Sequence, residues 1–207
     1  MTELDHPITH QSFAIIDREL GELPLNEKEF AIARRVIHAT ADFEFASLLH
    51  FSPGSIESAI AALQNSCPIV TDVNMVKHGI AGMVAKTFNN PLFAAIDFAA
   101  EPLPGKTRTE TGLLRCWERY PQAVYAIGNA PTALLALCKC CATAPVPPAL
   151  VVGAPVGFVS VIESKKALAQ LPVAQIRVEG RKGGSPVAAA IVNALLVLAW
   201  NDLNPKL

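Results

Sequence analysis

The chain has 207 residues, of which 51% are hydrophobic and only 17% charged, with a formal net charge of −1. That length suits one α/β domain over residues 1–207 with a sizeable core. The near-zero charge excludes bulk attraction to nucleic acid or to an anionic membrane, so an anionic ligand has to be met by local clusters of Arg and Lys. Charge below the roughly 25% of an average soluble protein implies covered surface, most simply a subunit interface.

In chain order, the first stretch, MTELDHPITHQ, has neither a basic n-region nor an apolar h-region, so no signal peptide and a cytoplasmic location are expected. Residues 27–47, EKEFAIARRVIHATADFEFAS, read as an amphipathic helix. At 100° per residue Ile32, Ala33, Val36, Ile37 and Phe43 share one side, and Arg35, His38 and Asp42 share the other. Spacings of three and four residues stack that polar trio on one face. An imidazole there is either a surface histidine or a proton-transfer group, because a side chain titrating near pH 6.5 both gives and takes a proton at neutral pH. Ser12 lies in no G-x-S-x-G elbow and reads as a binding hydroxyl unless a base approaches it.

Four later segments repeat a short apolar run, then Gly, Asn or Asp, then a helical pattern: PIVTDVNMVKHGI, AVYAIGNAPTALLAL, ALVVGAPVGFVSVIESKKAL and AQIRVEGRKGGSPVAAAIVNALL. Pro131 and Pro186 suit first helical positions, with Ser185 as the cap of the last helix. These are βα units. They predict a doubly wound three-layer α/β/α sandwich with a mainly parallel, flavodoxin-like sheet. Ligands of such sheets bind beyond the carboxyl ends of the strands, which singles out Asp72, Asn74, Lys77 and His78; Gly128 and Asn129; Gly153 to Gly157; and Arg181 to Ser185. Residues 101–109 read as an exposed loop leading into the helix of Arg115 and Arg119. The charge-free stretch 183–201 is too short in its apolar part to span a bilayer and reads as buried.

The run EGRKGGSPVAA joins Arg181 and Lys182 to two glycines and a helix start, which is either an oxyanion site or an ordinary capped turn. No GxxxxGK[ST] is present, and GAPVGF does not complete G-x-G-x-x-G, so nucleotide, nicotinamide and flavin chemistry have weak support. The five cysteines lack the spacing of a disulfide framework, and CKCC has no second ligand pair, so reduced thiols and no metal site are expected.

Several ordered motifs carry a resemblance over nearly the whole chain: SFAIIDREL, RRVIHATADFEF, PIVTDVNMVKHGI, KTRTETGLLRCWE, VYAIGNAPTALLAL, GAPVGFVSVIESKKAL and GRKGGSPVAAAIVNAL. With this order and spacing the chain resembles the precorrin-8X and cobalt-precorrin-8 methylmutases. The resemblance implies an isomerase that moves a methyl group from C-11 to C-12 of a corrinoid ring, with no cofactor or methyl donor. It implies that His38 is the acid that protonates the macrocycle, that Ser12, Arg35 and Arg108 contact substrate, and that the protein is a homodimer with sites near the subunit boundary. A flat apolar ring fringed with carboxylates calls for scattered cations around an apolar floor, a role open to Lys77, Arg108, Arg181 and Lys182 with Gly183 and Gly184. Two positions depart from the family pattern: Glu179 precedes GRKGGS and Gln11 precedes SF, where basic residues are expected. The alternatives are a non-catalytic corrinoid carrier and a phosphate- or nucleotide-binding α/β enzyme.

Overall fold

Helix α1 (Pro7–Leu20) starts where Pro7 occupies the first turn and the His6 side chain accepts a hydrogen bond from the Ile8 N–H. The computed structural model describes residue 4 and residues 6–205. Helix α2 (Glu27–Thr40) opens on a capping box: Asn26 accepts from the N–H groups of Lys28 and Glu29, and Glu29 accepts from the Asn26 N–H. Ile32, Ala33, Val36 and Ile37 form its buried stripe, as the periodicity predicts.

The remaining elements follow as α3 (Phe45–Leu48), β1 (Leu49–Phe51), α4 (Ser55–Gln64), β2 (Ile69–Thr71), α5 (Asn74–Lys86) and β3 (Leu92–Ala94), then a 3-10 turn (Ala95–Phe98). After it come α6 (Arg108–Arg119), β4 (Val124–Ile127), α7 (Pro131–Thr143), β5 (Leu150–Gly153), α8 (Val161–Ala169), β6 (Gln175–Val178) and α9 (Ser185–Leu203). The four anticipated βα units are β2–α5, β4–α7, β5–α8 and β6–α9.

Among the described residues the strands form one sheet in the order β1-β6-β5-β4-β2-β3. All neighbours are parallel except β1, which pairs antiparallel with β6 through Leu49 with Val178, His50 with Arg177 and Phe51 with Ile176. Without β1, the five parallel strands read second, first, third, fourth, fifth, which is the flavodoxin-like order. Every residue of β2, β4, β5 and β6 is buried, as strands covered on both faces require. Ile69, Val124, Ala126, Leu150, Val152 and Ile176 face a layer containing α1, α2, α4, α5 and α9. Val70, Tyr125, Ile127 and Val151 face α6, α7 and α8. Among the described residues helix α9 alone is long and apolar enough to cross a membrane by length and composition, and it lies buried against α2, α4 and α5.

Two sequence expectations need correction. Helix α2 ends at Thr40, because Ala41 adopts the left-handed conformation (φ 54°) and its N–H bonds to the Ile37 carbonyl at 2.7 Å. Asp42 therefore leaves the helix and does not extend the Arg35–His38 face. The cap of α9 is Gly184, with Ser185 already helical. The exchange follows from close packing: a Cβ on Gly183 (φ 154°) would stand 2.3 Å from the Ala154 carbonyl oxygen, and the Gly184 N–H donates to that same oxygen at 2.8 Å. The two glycines let the loop after β6 touch the loop after β5.

Candidate functional site

In a flavodoxin-like sheet the crevice for a ligand opens where the strand order reverses, here between β2 and β4. A side chain of the protein fills it. Asp72, fully buried, accepts from the N–H groups of Val73 and Gly128 through Oδ1 and from those of Asn129 and Ala130 through Oδ2, at 2.6–3.1 Å. Burial pushes this carboxyl upward from the ordinary carboxylate range, and the four N–H bonds oppose the push. Gly128 is tied into the same knot, since a Cβ there would meet Ser185 Cα and Val76 Cγ2 at 2.9 Å. The loop N–H groups that could receive a phosphate at such a crevice are already bonded to Asp72, which counts against the nucleotide reading.

The chemistry-bearing residues lie beside this point, at the same end of the sheet. Helices α1 and α2 pack as a hairpin and bring Ser12 Oγ to 2.7 Å from His38 Nδ1. Phe13 meets the imidazole edge-on at a centroid distance of 5.4 Å. The pair sits in the wall of a cavity of about 380 Å³, otherwise mostly apolar, bordered by Ile8, Ile15, Ile37, Ala41 and Phe43. His38 is solvent-accessible, and its Nε2 makes no hydrogen bond to protein among the described residues. A base does therefore approach Ser12, through the contact of its hydroxyl with the imidazole Nδ1.

Asp42, thrown clear by the turn at Ala41, accepts from Lys182 Nζ at 2.6 Å, and Glu44 lies 3.0 Å from the same nitrogen. The Lys182 bond holds the Asp42 carboxyl below its usual range, and both carboxylates raise the Lys182 ammonium. This clasp ties the end of α2, four residues past His38, to the loop after β6. Arg181 in that loop stands over the Phe158 ring at 5.7 Å. Phe158 and Val159 are 85% and 83% exposed, and Met75 and Val156 add to the apolar surface at this end of the sheet.

Three predicted contacts lie elsewhere. Arg35 stands over Phe13 at 5.5 Å and lines a second cleft, of about 540 Å³, on the other side of the hairpin. Lys77 faces Asp97 at 3.6 Å, and Arg108 donates to the carbonyls of Ala99 and Ile96, which ties both to the segment after β3. Neither Lys77 nor Arg108 lines the His38 cavity. Glu179 accepts from Arg177 Nε at 2.8 Å and so neutralises a neighbour within its own turn. The CKCC cysteines are free, and burial pushes Cys138 and Cys141 up to about 12, which leaves them inert thiols. Among the described residues no group of three or more His, Cys, Asp or Glu is placed to hold a metal ion.

One residue escaped the sequence reading. Lys165, 1% exposed, donates from Nζ to the carbonyls of Gly180 at 2.9 Å and Lys182 at 2.6 Å. Burial pulls its ammonium down to about 8. The signal lay in the period: Val161, Lys165 and Leu168 fall on one helical stripe, and that stripe is buried.

Comparison with known proteins bears on this geometry. Residues 7–198 match the family model described as precorrin-8X methylmutase. The cobalt-precorrin-8 methylmutase of Synechocystis sp. is 56% identical over 98% of this chain and 100% of that protein. The precorrin-8X methylmutase of Sinorhizobium sp. is 40% identical over 91% of this chain and 92% of that protein. The crystal structure of precorrin-8X methylmutase from Thermus thermophilus superposes with a TM-score of 0.87 at 39% identity, covering 95% of this chain and 99% of that one.

Proposed function

We propose a residue-level mechanism whose premise is that the chain belongs to the precorrin-8X methylmutase family. The protein is an isomerase of cobalamin biosynthesis, and its reaction is the migration of a methyl group from C-11 to C-12 of the corrinoid ring. The C-11–methyl bond breaks as the C-12–methyl bond forms, so no electrons enter or leave. Our reading assigns His38 as the acid. As imidazolium it presents Nε2–H to the macrocycle while Nδ1–H donates to Ser12 Oγ. Protonation draws electron density from the conjugated system and eases migration, and return of the proton regenerates the imidazolium at the end of the cycle. A serine hydroxyl suits this partnership because it accepts from Nδ1–H in the charged ring and donates to Nδ1 in the neutral one.

The single observation that carries this reading is the 2.7 Å Ser12–His38 contact on the wall of an open apolar cavity. The apolar surface of Met75, Val156, Phe158 and Val159 supports a hydrophobic seat for the ring, with Arg181 at its edge for a carboxylate. The same exposed surface supports a homodimer that completes the site. Five free cysteines fit a reducing cytoplasm. Similarity to the Synechocystis protein favours the cobalt-loaded ring as substrate. Turnover of cobalt-precorrin-8 set against that of metal-free precorrin-8X tests this, and a clear preference for the metal-free ring would reverse the assignment.

Removing the partner of Nδ1 tests the acid. A hydrogen bond to a charged group contributes ~1.5–3 kcal/mol, so Ser12→Ala lowers kcat by roughly 10- to 150-fold and leaves KM close to wild type. Steady-state kinetics check it, and an unchanged kcat removes Ser12 from the mechanism.

A further inference from the structure

Buried lysines are rare, because removing an ammonium from water is costly unless it is well paired. Lys165 is buried, and the groups it binds are main-chain carbonyls of Gly180 and Lys182. These two carbonyls flank Arg181, the residue whose guanidinium stands over the exposed Phe158 ring. In a trans peptide the C=O and the following N–H point in opposite directions. Fixing the carbonyls of residues 180 and 182 on Lys165 therefore turns the N–H groups of Arg181 and Gly183 away from α8. Lys182, held at its carbonyl by Lys165, is held at its Nζ by Asp42 and Glu44. A continuous line of contacts thus runs from α8, on one face of the sheet, through the loop after β6 to the end of α2, on the other.

We propose that Lys165 is a positioning residue for substrate binding: by tying the carbonyls of Gly180 and Lys182 it holds the loop in the one shape that presents Arg181 and Lys182 to the carboxylate fringe of the corrinoid. The proposal rests on the reading of the protein as a corrin-ring methylmutase. Lys165 itself, enclosed under the loop, touches no substrate. Its effect is transmitted through the backbone to two side chains that also meet solvent.

Lys165→Met keeps the length of the side chain and removes both donors. The measurement is the Kd of the ring-contracted product, followed by absorbance, together with kcat and KM, in wild type, K165M, the double variant R181A/K182A and the triple variant. Because Lys165 acts through the two cations, K165M alone weakens product binding about tenfold, equivalent to ~1.4 kcal/mol, raises KM alike and leaves kcat near wild type. In the R181A/K182A background K165M then has little further effect, the non-additivity expected of residues that work as one unit. A merely structural lysine would lower the melting temperature yet leave Kd unchanged, or would weaken binding equally in both backgrounds. Either result overturns the proposal. If K165M gives no soluble protein, Lys165→Arg is carried through the same cycle: it keeps the charge but displaces the donors, so binding weakens in the wild-type background alone, and additive loss or none overturns the proposal. A wild-type protein that neither binds product nor turns over precursor would overturn the methylmutase reading instead, so the two failures are distinct.

Discussion

Replacing His38 with alanine lowers kcat by ~10²–10⁴-fold, the range a positioned general acid supplies, and leaves product affinity within a few-fold of wild type. The two effects separate because the imidazole contributes little apolar area to the proposed seat of the ring, whereas Arg181 and the exposed side chains of Met75, Phe158 and Val159 remain. Ser12 cannot take over, since an aliphatic hydroxyl is a far weaker acid than imidazolium. The variant opens space beside Ser12 in a cavity that already admits solvent, so added imidazole restores part of the lost rate, more at lower pH where more of it is protonated. Single-turnover absorbance with saturating precursor measures the chemical step directly. A His38→Ala enzyme with wild-type kcat would show that the proton comes from another group or from water.

Replacing Asp72 with alanine destabilises the fold by ~3–5 kcal/mol, the cost of removing a buried charged acceptor from its partners. Four N–H groups lose their acceptor at once, those of Val73, Gly128, Asn129 and Ala130, and three of them lead into α7. Against a total stability of roughly 5–15 kcal/mol this is a large fraction. For a chain of this size it lowers the melting temperature by ~6–20 °C. Asp72→Asn fares little better: one oxygen still accepts two N–H bonds, but the amide nitrogen faces the other two as a donor. Denaturant unfolding of the three proteins checks the order, wild type above Asn and Asn at or above Ala. Wild-type stability in the alanine variant would mean that water satisfies the four N–H groups and that the crevice is open to a ligand after all.

The parts of the fold that the amino-acid pattern foretold are those with strong local chemistry. Pro131 and Pro186 mark helix starts, and fully apolar strands such as Leu150–Gly153 mark a sheet covered on both sides. Strands β1 and β3 went unread because three residues each are too few to show a period, and because β1 is defined by its partner β6, more than a hundred residues away. The end of α2 was misjudged for a physical reason: alanine, not glycine, takes the left-handed position at residue 41, so the usual stop signal is missing. A helix read through residue 47 keeps Asp42 beside His38, whereas the helix ending at Thr40 sends Asp42 to Lys182. His38 was found through its motif, while its contact with Ser12, which joins two helices, follows only from tertiary packing. Arg35 and Arg108 come from motifs of the resemblance and Lys77 from its charge beyond a strand end, and neither signal tells which partners the fold gives a cation within one subunit: Asp97 for Lys77, the Phe13 ring for Arg35, main-chain carbonyls for Arg108.

The antiparallel pairing of β1 with β6 sets a timetable for synthesis. The hairpin of α1 and α2, which carries His38, is among the first parts of the chain to leave the ribosome, yet α9, against which α2 packs, and β6, which pairs with β1, are among the last. Contacts so distant along the chain close late, after local units have formed. A nascent chain halted before residue 185 holds His38 and Ser12 but lacks α9, the helix against which α2 packs. Docking of the hairpin on α9 thus waits for the end of translation.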